Sequence, residues 1–141
     1  MKRKASALWQ GDLKSGNGKI STDSGVLKDT QYSFSTRFES GNGTNPEELI
    51  AAAHAGCFAM ALSSELGKAG LKPESIAATA TVTLEMLPTG PTVTESHLDV
   101  TVKVPGADKN KVIEVANAAK LGCPISRLLN AKVTMDAKAE V

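Results

Sequence analysis

Residues Thr44–Gly70 read TNPEELIAAAHAGCFAMALSSELGKAG, and this stretch decides the fold. Asn45 is a good helix N-cap, Pro46 suits the first helical position, and Glu48 stands where a capping-box exchange with Asn45 would place it. Glu47 and Glu48 put negative charge at the positive end of the helix dipole. Beyond them the segment stays apolar or small on nearly every side for about four turns, without the polar stripe of a surface helix. This predicts a helix buried all round. Ala51, Ala52, Ala53, Ala55, Gly56, Ala59 and Ala61 would let another backbone approach closely. A chain of 141 residues has difficulty covering both sides of such a helix, so a homodimer that packs two of them together is expected. Gly67 and Gly70 close the helix, with Pro73 just beyond.

Working outward, the first 40 residues read as short strands and turns. Ala5–Trp9 suits a first strand, Gly16-Asn17-Gly18 a tight turn, and Lys19–Thr22 a second strand. Tyr32–Phe38 alternates Tyr32, Phe34, Thr36 and Phe38 against Ser33, Ser35 and Arg37, which predicts a strand with Arg37 opposite the aromatic side. After the helix, two long alternating stretches flank Pro88-Thr89-Gly90-Pro91. Ile76, Ala78, Ala80, Val82, Leu84 and Met86 mark the first, and Leu98, Val100, Val102 and Val104 the second. They predict an antiparallel hairpin with one face to a core. Ala107–Leu121 reads as a helix capped near Asp108, Pro124 as the start of a short helix, and Ala131–Ala137 as a last strand. The expected class is α+β, a mostly antiparallel sheet with a buried central helix that bears Cys57. Length points to a single domain spanning residues 1–141.

Composition excludes several functions. The formal charge of +1 gives no general reason to bind a polyanion, and Lys2-Arg3-Lys4 is too short a cluster to supply one. No nucleic-acid or membrane partner is expected. No apolar run looks long enough to span a bilayer, and the basic opening lacks the apolar stretch of a signal peptide, so a cytoplasmic location is expected. Two His and two Cys without close ligand spacing argue against a structural zinc site, and no phosphate loop or dinucleotide fingerprint occurs. No metal or cofactor is expected.

The residues able to do chemistry are few. Cys57 lies inside the predicted helix and Cys123 in a Gly122-Cys123-Pro124 corner, 66 residues later. Free cysteines are commonly small buried hydrophobes. The functional reading is a redox pair in which one thiol attacks and the other resolves. There is no C-x-x-C, so a thioredoxin-like dithiol is not supported. His54 stands three residues before Cys57 and could raise its thiolate fraction, or simply satisfy its nitrogens inside a helical interface. His97 falls on the polar face of a strand.

The segment Thr44–Leu62, the second motif Cys123-Pro124-Ile125-Ser126, the opening ASALWQGDLKSGNGKIST and the Phe-Ser-Thr-Arg-Phe segment together resemble the OsmC/Ohr family of thiol-dependent peroxidases over essentially the whole chain. His54 and the strand position read for Arg37 favour the osmotically inducible OsmC branch. The resemblance implies an intertwined homodimer with active sites at the subunit interface. It also implies reduction of organic hydroperoxides, and of hydrogen peroxide less well. Cys57 then corresponds to the peroxidatic cysteine, Cys123 to the resolving one, Arg37 to the arginine that holds the thiolate, and Glu47 to its carboxylate partner. The implied cycle passes through a Cys57 sulfenic acid and a Cys57–Cys123 disulfide, recycled by an external dithiol such as one of lipoyl type.

These residue types suit that chemistry. An apolar site raises a thiol's pKa, and a guanidinium offsets the penalty because it stays charged. Glu47 would orient the guanidinium fork. An apolar lining from Leu49, Ile50, Phe58 and Met60 would suit alkyl hydroperoxides. Ten residues of helix separate Glu47 from Cys57, about 15 Å along the axis, so the Arg37, Glu47 and Cys57 contributions are expected to be mixed across the dimer. Two other readings use the same residues without turnover: a cysteine-based redox sensor, and a small apolar ligand-binding protein.

Overall fold

The computed structural model describes residues 1–141, which divide into two compact units, Met1–Leu49 and Ile50–Val141. In the first, β1 (Ala5–Gln10), β2 (Asn17–Thr22) and β3 (Thr30–Tyr32) form an antiparallel sheet in the order β1-β2-β3. Gln10 pairs with Asn17, so the β1–β2 turn lies at Gly11–Gly16, before the expected Gly16–Gly18. Asp12 builds it, its Oδ1 accepting from the Ser15 N–H and hydroxyl, each at 2.7 Å. Gly18 is a strand residue with a steric task. A Cβ there would run into the Tyr32 ring and stand 2.8 Å from the Trp9 ring, and these rings pack at 5.5 Å between centroids.

The strand expected at Tyr32–Phe38 is overturned. Strand β3 ends at Tyr32, and Phe34–Phe38 form one short helix, α1. Ser33 caps it: the Thr36 N–H donates to Ser33 Oγ at 3.2 Å, and the Ser33 N–H donates to Thr36 Oγ1 at 2.8 Å. That reciprocal pair satisfies two end donors locally and outweighs the alternation read over Tyr32–Phe38. Arg37 therefore sits in the last turn of a helix.

Helix α2 (Pro46–Lys68) starts in the first unit and continues into the second. Asn45 caps it as expected, the Glu48 N–H donating to Asn45 Oδ1 at 2.8 Å. The Glu48 carboxylate instead accepts from the Thr44 hydroxyl at 2.8 Å. In the second unit, β4 (Ser75–Leu87), β5 (Gly90–Lys103) and β6 (Lys132–Glu140) form a sheet in the order β4-β5-β6. The β4–β5 hairpin is antiparallel, with a bulge between Thr83 and Leu84. β6 runs parallel to β5, so the sheet is mixed where a mostly antiparallel one was expected. Helix α3 (Lys109–Gly122) is capped by Asp108, whose Oδ1 accepts from the Lys111 N–H at 2.8 Å. Helix α4 (Pro124–Leu128) follows after Cys123.

The core of this unit joins Phe58, Leu62 and Leu66 of α2 to Leu98, Val100 and Val102 of β5 and to Val112, Val115, Ala116 and Ala119 of α3. It has one aromatic side chain, as the composition required. Within α2 only the row His54, Phe58, Leu62, Leu66 is fully enclosed. The expectation of a helix buried all round is thus corrected for a single chain. Ala52, Ala53, Gly56, Met60, Ser63, Ser64 and Gly67 are exposed on its other side, Met60 by 77%. By length and composition this helix is also long and apolar enough to cross a membrane, against the expectation of no such run, because its Gly, Ser and His residues scarcely interrupt it.

Gly18→Ala should force the Tyr32 and Trp9 rings apart at a cost of about 1–3 kcal/mol. Urea denaturation measures the loss, and Trp9, the sole tryptophan, should shift its emission. An unchanged midpoint and spectrum would mean that the rings do not depend on this close approach.

Candidate active site

The two cysteines meet. Cys57 projects from the middle of α2, and Cys123 stands at the junction where α3 ends and α4 begins. Both are free thiols, Cys57 partly exposed and Cys123 fully buried. The two sulfurs lie 3.0 Å apart, within hydrogen-bond reach of one another. A disulfide needs the sulfurs about 2.05 Å apart, so once one of them is oxidised only a short approach separates this contact from a bond. Pro124 can neither donate nor continue α3, which ends that helix and turns the backbone beneath Cys123.

The environments of the two sulfurs differ. Burial pushes the Cys57 thiol up, and the contact with Cys123 adds to that, against one opposing hydrogen bond from the Ile125 N–H. Cys123 is penalised by burial too. The contact with Cys57, the N–H groups of Ser126 and Ile125 and the Ser126 hydroxyl outweigh this penalty and bring the thiol below its usual range. The second unit thus favours negative charge on Cys123, and none of the groups it turns toward Cys57 is a cation.

His54 is fully buried and held at both ring nitrogens: Nδ1 lies 2.7 Å from Ser96 Oγ of β5, and Nε2 lies 2.7 Å from Ser126 Oγ of α4. Burial lowers its pKa below the ordinary imidazole range. Ser96 and Ser126 drew no attention in the sequence beyond Ser126's place in the second motif. A serine on the core-facing side of β5, in register with Leu98, Val100 and Val102, was the available signal.

In the first unit, Arg37 and Glu47 form a two-pronged ion pair. Arg37 Nη2 donates to Glu47 Oε1 at 2.8 Å, and Nε lies 3.2 and 3.3 Å from the two carboxylate oxygens. Glu47 is largely buried, and the guanidinium rests 5.3 Å from the Phe38 ring centroid. Beside the pair lies a cleft of about 230 Å³ with Trp9, Leu13, Tyr32, Phe34 and Phe38 in its walls. Four of the chain's five aromatic residues gather here, a concentration visible in the sequence but not read there as a site. Of the residues expected to line a substrate site, Phe58 is enclosed in the core, Met60 lies on the exposed side of α2, and Leu49 and Ile50 are partly buried.

One side-chain group has metal-ligating geometry, on the outer face of the second sheet. His97 Nε2 lies 3.5 Å from Asp99 and 3.2 Å from Asp136, while Nδ1 lies 2.6 Å from the Thr134 hydroxyl. Both carboxylates stand well out in water.

The model of the OsmC-like protein family matches residues 39–138, which contain Glu47 and both cysteines. The chain belongs to that family. It is 50% identical to peroxiredoxin OsmC of Escherichia coli strain K12 over 134 residues, covering 95% of this chain and 94% of the relative. An organic hydroperoxide resistance protein of Xanthomonas axonopodis pv. citri is 32% identical over 87 residues, 61% of this chain and 59% of the other. Among solved structures, the organic hydroperoxide resistance protein OhrB of Bacillus subtilis superposes with a TM-score of 0.68 at 25% identity, covering 97% of this chain and 98% of that one. An OsmC-like protein of unknown function from Vibrio cholerae reaches 0.77 at 19% identity, covering 97% and 99%.

The buried His54 carries a consequence for this OsmC-like chain. As pH falls through about 6.5, the unfolded chain gains a proton at this imidazole that the native state refuses. Stability is therefore full above that pH and is lost below it. Urea midpoints at pH 7.5 and 5.5 should differ in that direction, and His54→Gln should flatten the difference. An undiminished acid loss in the variant would assign it to other groups.

Proposed function

We propose that this protein is a thiol-dependent peroxidase that reduces organic hydroperoxides to alcohols. The observation that carries the reading is the pair of free thiols held 3.0 Å apart by residues 66 positions distant in sequence. The names of the relatives, a peroxiredoxin and organic hydroperoxide resistance proteins, support it. Cys57 is the peroxidatic residue, the more exposed of the two and the one a peroxide can reach. Its thiolate attacks the distal peroxide oxygen, the alcohol leaves, and Cys57 becomes a sulfenic acid. Cys123 attacks that sulfur, water leaves, and a disulfide forms. An external dithiol, such as one of lipoyl type, returns both thiols.

Arg37 and Glu47 complete this site in our reading. Cys57 in its own unit is penalised by burial and receives no cation. A guanidinium fixed by a carboxylate is what a thiolate there requires. The aromatic cleft beside Arg37 suits the apolar group of an alkyl or aryl hydroperoxide better than it suits hydrogen peroxide. The exposed stripe of small residues on α2 supports an intertwined homodimer in which one copy's Arg37–Glu47 pair serves the other copy's Cys57. The two units then act as one peroxidase domain spanning the chain. A cytoplasmic location suits a cycle whose disulfide must be reduced again to thiols.

Turnover of cumene hydroperoxide with dihydrolipoamide tests the chemistry. Wild type should turn over repeatedly, Cys57→Ser should consume no peroxide, and Cys123→Ser should stop after one oxidation. Absence of even a single turnover in wild type would overturn the reading. Mixing tests the sharing of the site. Arg37→Ala and Cys57→Ser should each be inactive alone, while refolding them together in equal amounts should restore about a quarter of wild-type activity through mixed dimers. No recovery on mixing, with mixed dimers present, would place both residues of a site in one chain.

A further inference from the structure

Alternation along β5 divides its side chains between two faces. Ser96, Leu98, Val100 and Val102 turn into the core, whereas Glu95, His97, Asp99 and Thr101 stand on the outer face. On that outer face the parallel β5–β6 register sets His97 beside Thr134, Asp99 beside Asp136 and Thr101 beside Lys138. Two carboxylates therefore face each other across neighbouring strands, which is destabilising when nothing positive lies between them. Neither pairs with a lysine or an arginine. Lys138 is engaged with Glu140 at 3.7 Å, and Lys103 with Glu74 at 3.9 Å. The one group that both carboxylates approach is His97, whose Nε2 lies 3.5 Å from Asp99 Oδ1 and 3.2 Å from Asp136 Oδ2.

Contacts on the other side of the ring fix what that nitrogen offers. Thr134 Oγ1 lies 2.9 Å from Glu95 Oε2, and a carboxylate only accepts, so the hydroxyl proton goes to Glu95. The Thr134 oxygen then accepts in turn, and His97 Nδ1, 2.6 Å away, is its donor. In the neutral ring Nε2 is left as a bare lone pair aimed at two carboxylates. A proton on Nε2 points along one line and cannot serve both carboxylates equally, whereas a metal ion among the three atoms can. The run Glu95–Thr134–His97 is also the outer support that a metal-ligating histidine ordinarily has, its other N–H directed, here through a hydroxyl, at a carboxylate.

We propose that His97, Asp99 and Asp136 hold a first-row divalent metal ion such as zinc, which ties β6 to β5. The site lies on the opposite face of the sheet from Ser96, the residue that meets His54, so it stands apart from the cysteine pair and does not depend on the peroxidase reading. Its spacing fits this class of ion. Ligands about 2.0–2.1 Å from a tetrahedral zinc stand about 3.4 Å from one another. The two separations at Nε2 are close to that value, and the three ligating atoms all lie within 4.8 Å of one another. An imidazole among the ligands disfavours magnesium and calcium, which prefer oxygen sets. Three protein ligands leave a fourth position open, beside a groove of about 430 Å³ whose walls include Thr79, Asp99, Asp136 and Lys138. Such a site is invisible in the sequence, where the spacing of His and Cys alone argues against zinc, because only the parallel pairing brings Asp136 beside Asp99 and His97.

The test is zinc binding followed by calorimetric titration, with urea midpoints compared in EDTA and in excess zinc. Free thiols also take zinc, so both measurements are repeated in the Cys57→Ser, Cys123→Ser double variant. In that background one equivalent should bind with micromolar affinity, raise the urea midpoint and resist competition by magnesium. His97→Ala and Asp136→Asn should each abolish measurable binding. Thr134→Val, which touches no metal, should weaken it about tenfold by removing the support of the ring. In EDTA, Asp136→Asn should be at least as stable as its parent because it relieves the facing carboxylates, and in zinc the parent should be the more stable. Asp136 is 84% exposed, so this variant keeps its fold and decides the matter even where His97→Ala does not. Loss of zinc binding in the double variant, or an Asp136→Asn protein that binds zinc as tightly as its parent, would overturn the site. So would an Asp136→Asn midpoint well below the parent's in EDTA, which would mean that a proton on His97 already holds the cluster together.

Discussion

The 3.0 Å contact between Cys57 and Cys123 depends on His54, whose ring is clamped between two serine hydroxyls on elements far apart in the chain. The apolar row that follows on the same side of α2, Phe58, Leu62 and Leu66, supplies the burial that makes those polar contacts count. Inside a core, an imidazole nitrogen without a partner is costly, so only the position of α2 that satisfies both nitrogens is favourable. That position carries Cys57, one turn further along the helix, to the α3–α4 junction. Hydrophobic packing alone would tolerate small sliding of α2 along the sheet; the two hydrogen bonds select one register. No buried side-chain nitrogen or oxygen is left unpartnered, consistent with a core in which the polar groups specify and the apolar groups stabilise.

Much of this was legible in the sequence where the physics is local. The Asn45 cap, the Asp108 cap, the alternation of β4 and β5 and the Pro124 corner each depend on residues within a few positions of one another. Three features were not legible, each for a definite reason. At Ser33–Phe38 two local signals competed, and reciprocal capping by Ser33 and Thr36 won over an alternation too short to pair with anything. The parallel β5–β6 pairing joins residues about 37 positions apart, such as His97 and Thr134, and the β6 sequence alternates the same way for either direction. The burial of α2 was overread because small residues look identical whether they are enclosed or waiting for a partner; only the position of Met60 distinguishes the two.

The candidate site divides along the same line. Cys57, Cys123, Arg37 and Glu47 were chosen by resemblance, and the structure brings them together in two pairs, one per unit. The aromatic cleft was written in the composition but hidden by it, since a chain with five aromatic residues gives no periodic signal to follow. Ser96 and Ser126 matter only through contacts 42 and 72 residues away from His54, which no local pattern encodes.

Two closely spaced thiols share their acidity: once one ionises, the other becomes its hydrogen-bond donor. Which sulfur carries the charge is then set by small differences in what else approaches each. In the second unit those differences favour Cys123, through the backbone N–H groups and hydroxyl of α4, whereas in the proposed cycle it is Cys57 that meets the peroxide. In the proposed cycle a cation at Cys57 reverses the order, making Cys57 the thiolate and Cys123 its donor. After oxidation the cation no longer has a thiolate to hold, and the groups around Cys123 regain control just when Cys123 must become the nucleophile. In the proposed cycle the Arg37–Glu47 pair thus acts on Cys57 in the first step, and the surroundings of Cys123 act in the second. The preference for Cys123 that would handicap the first step is what drives the second.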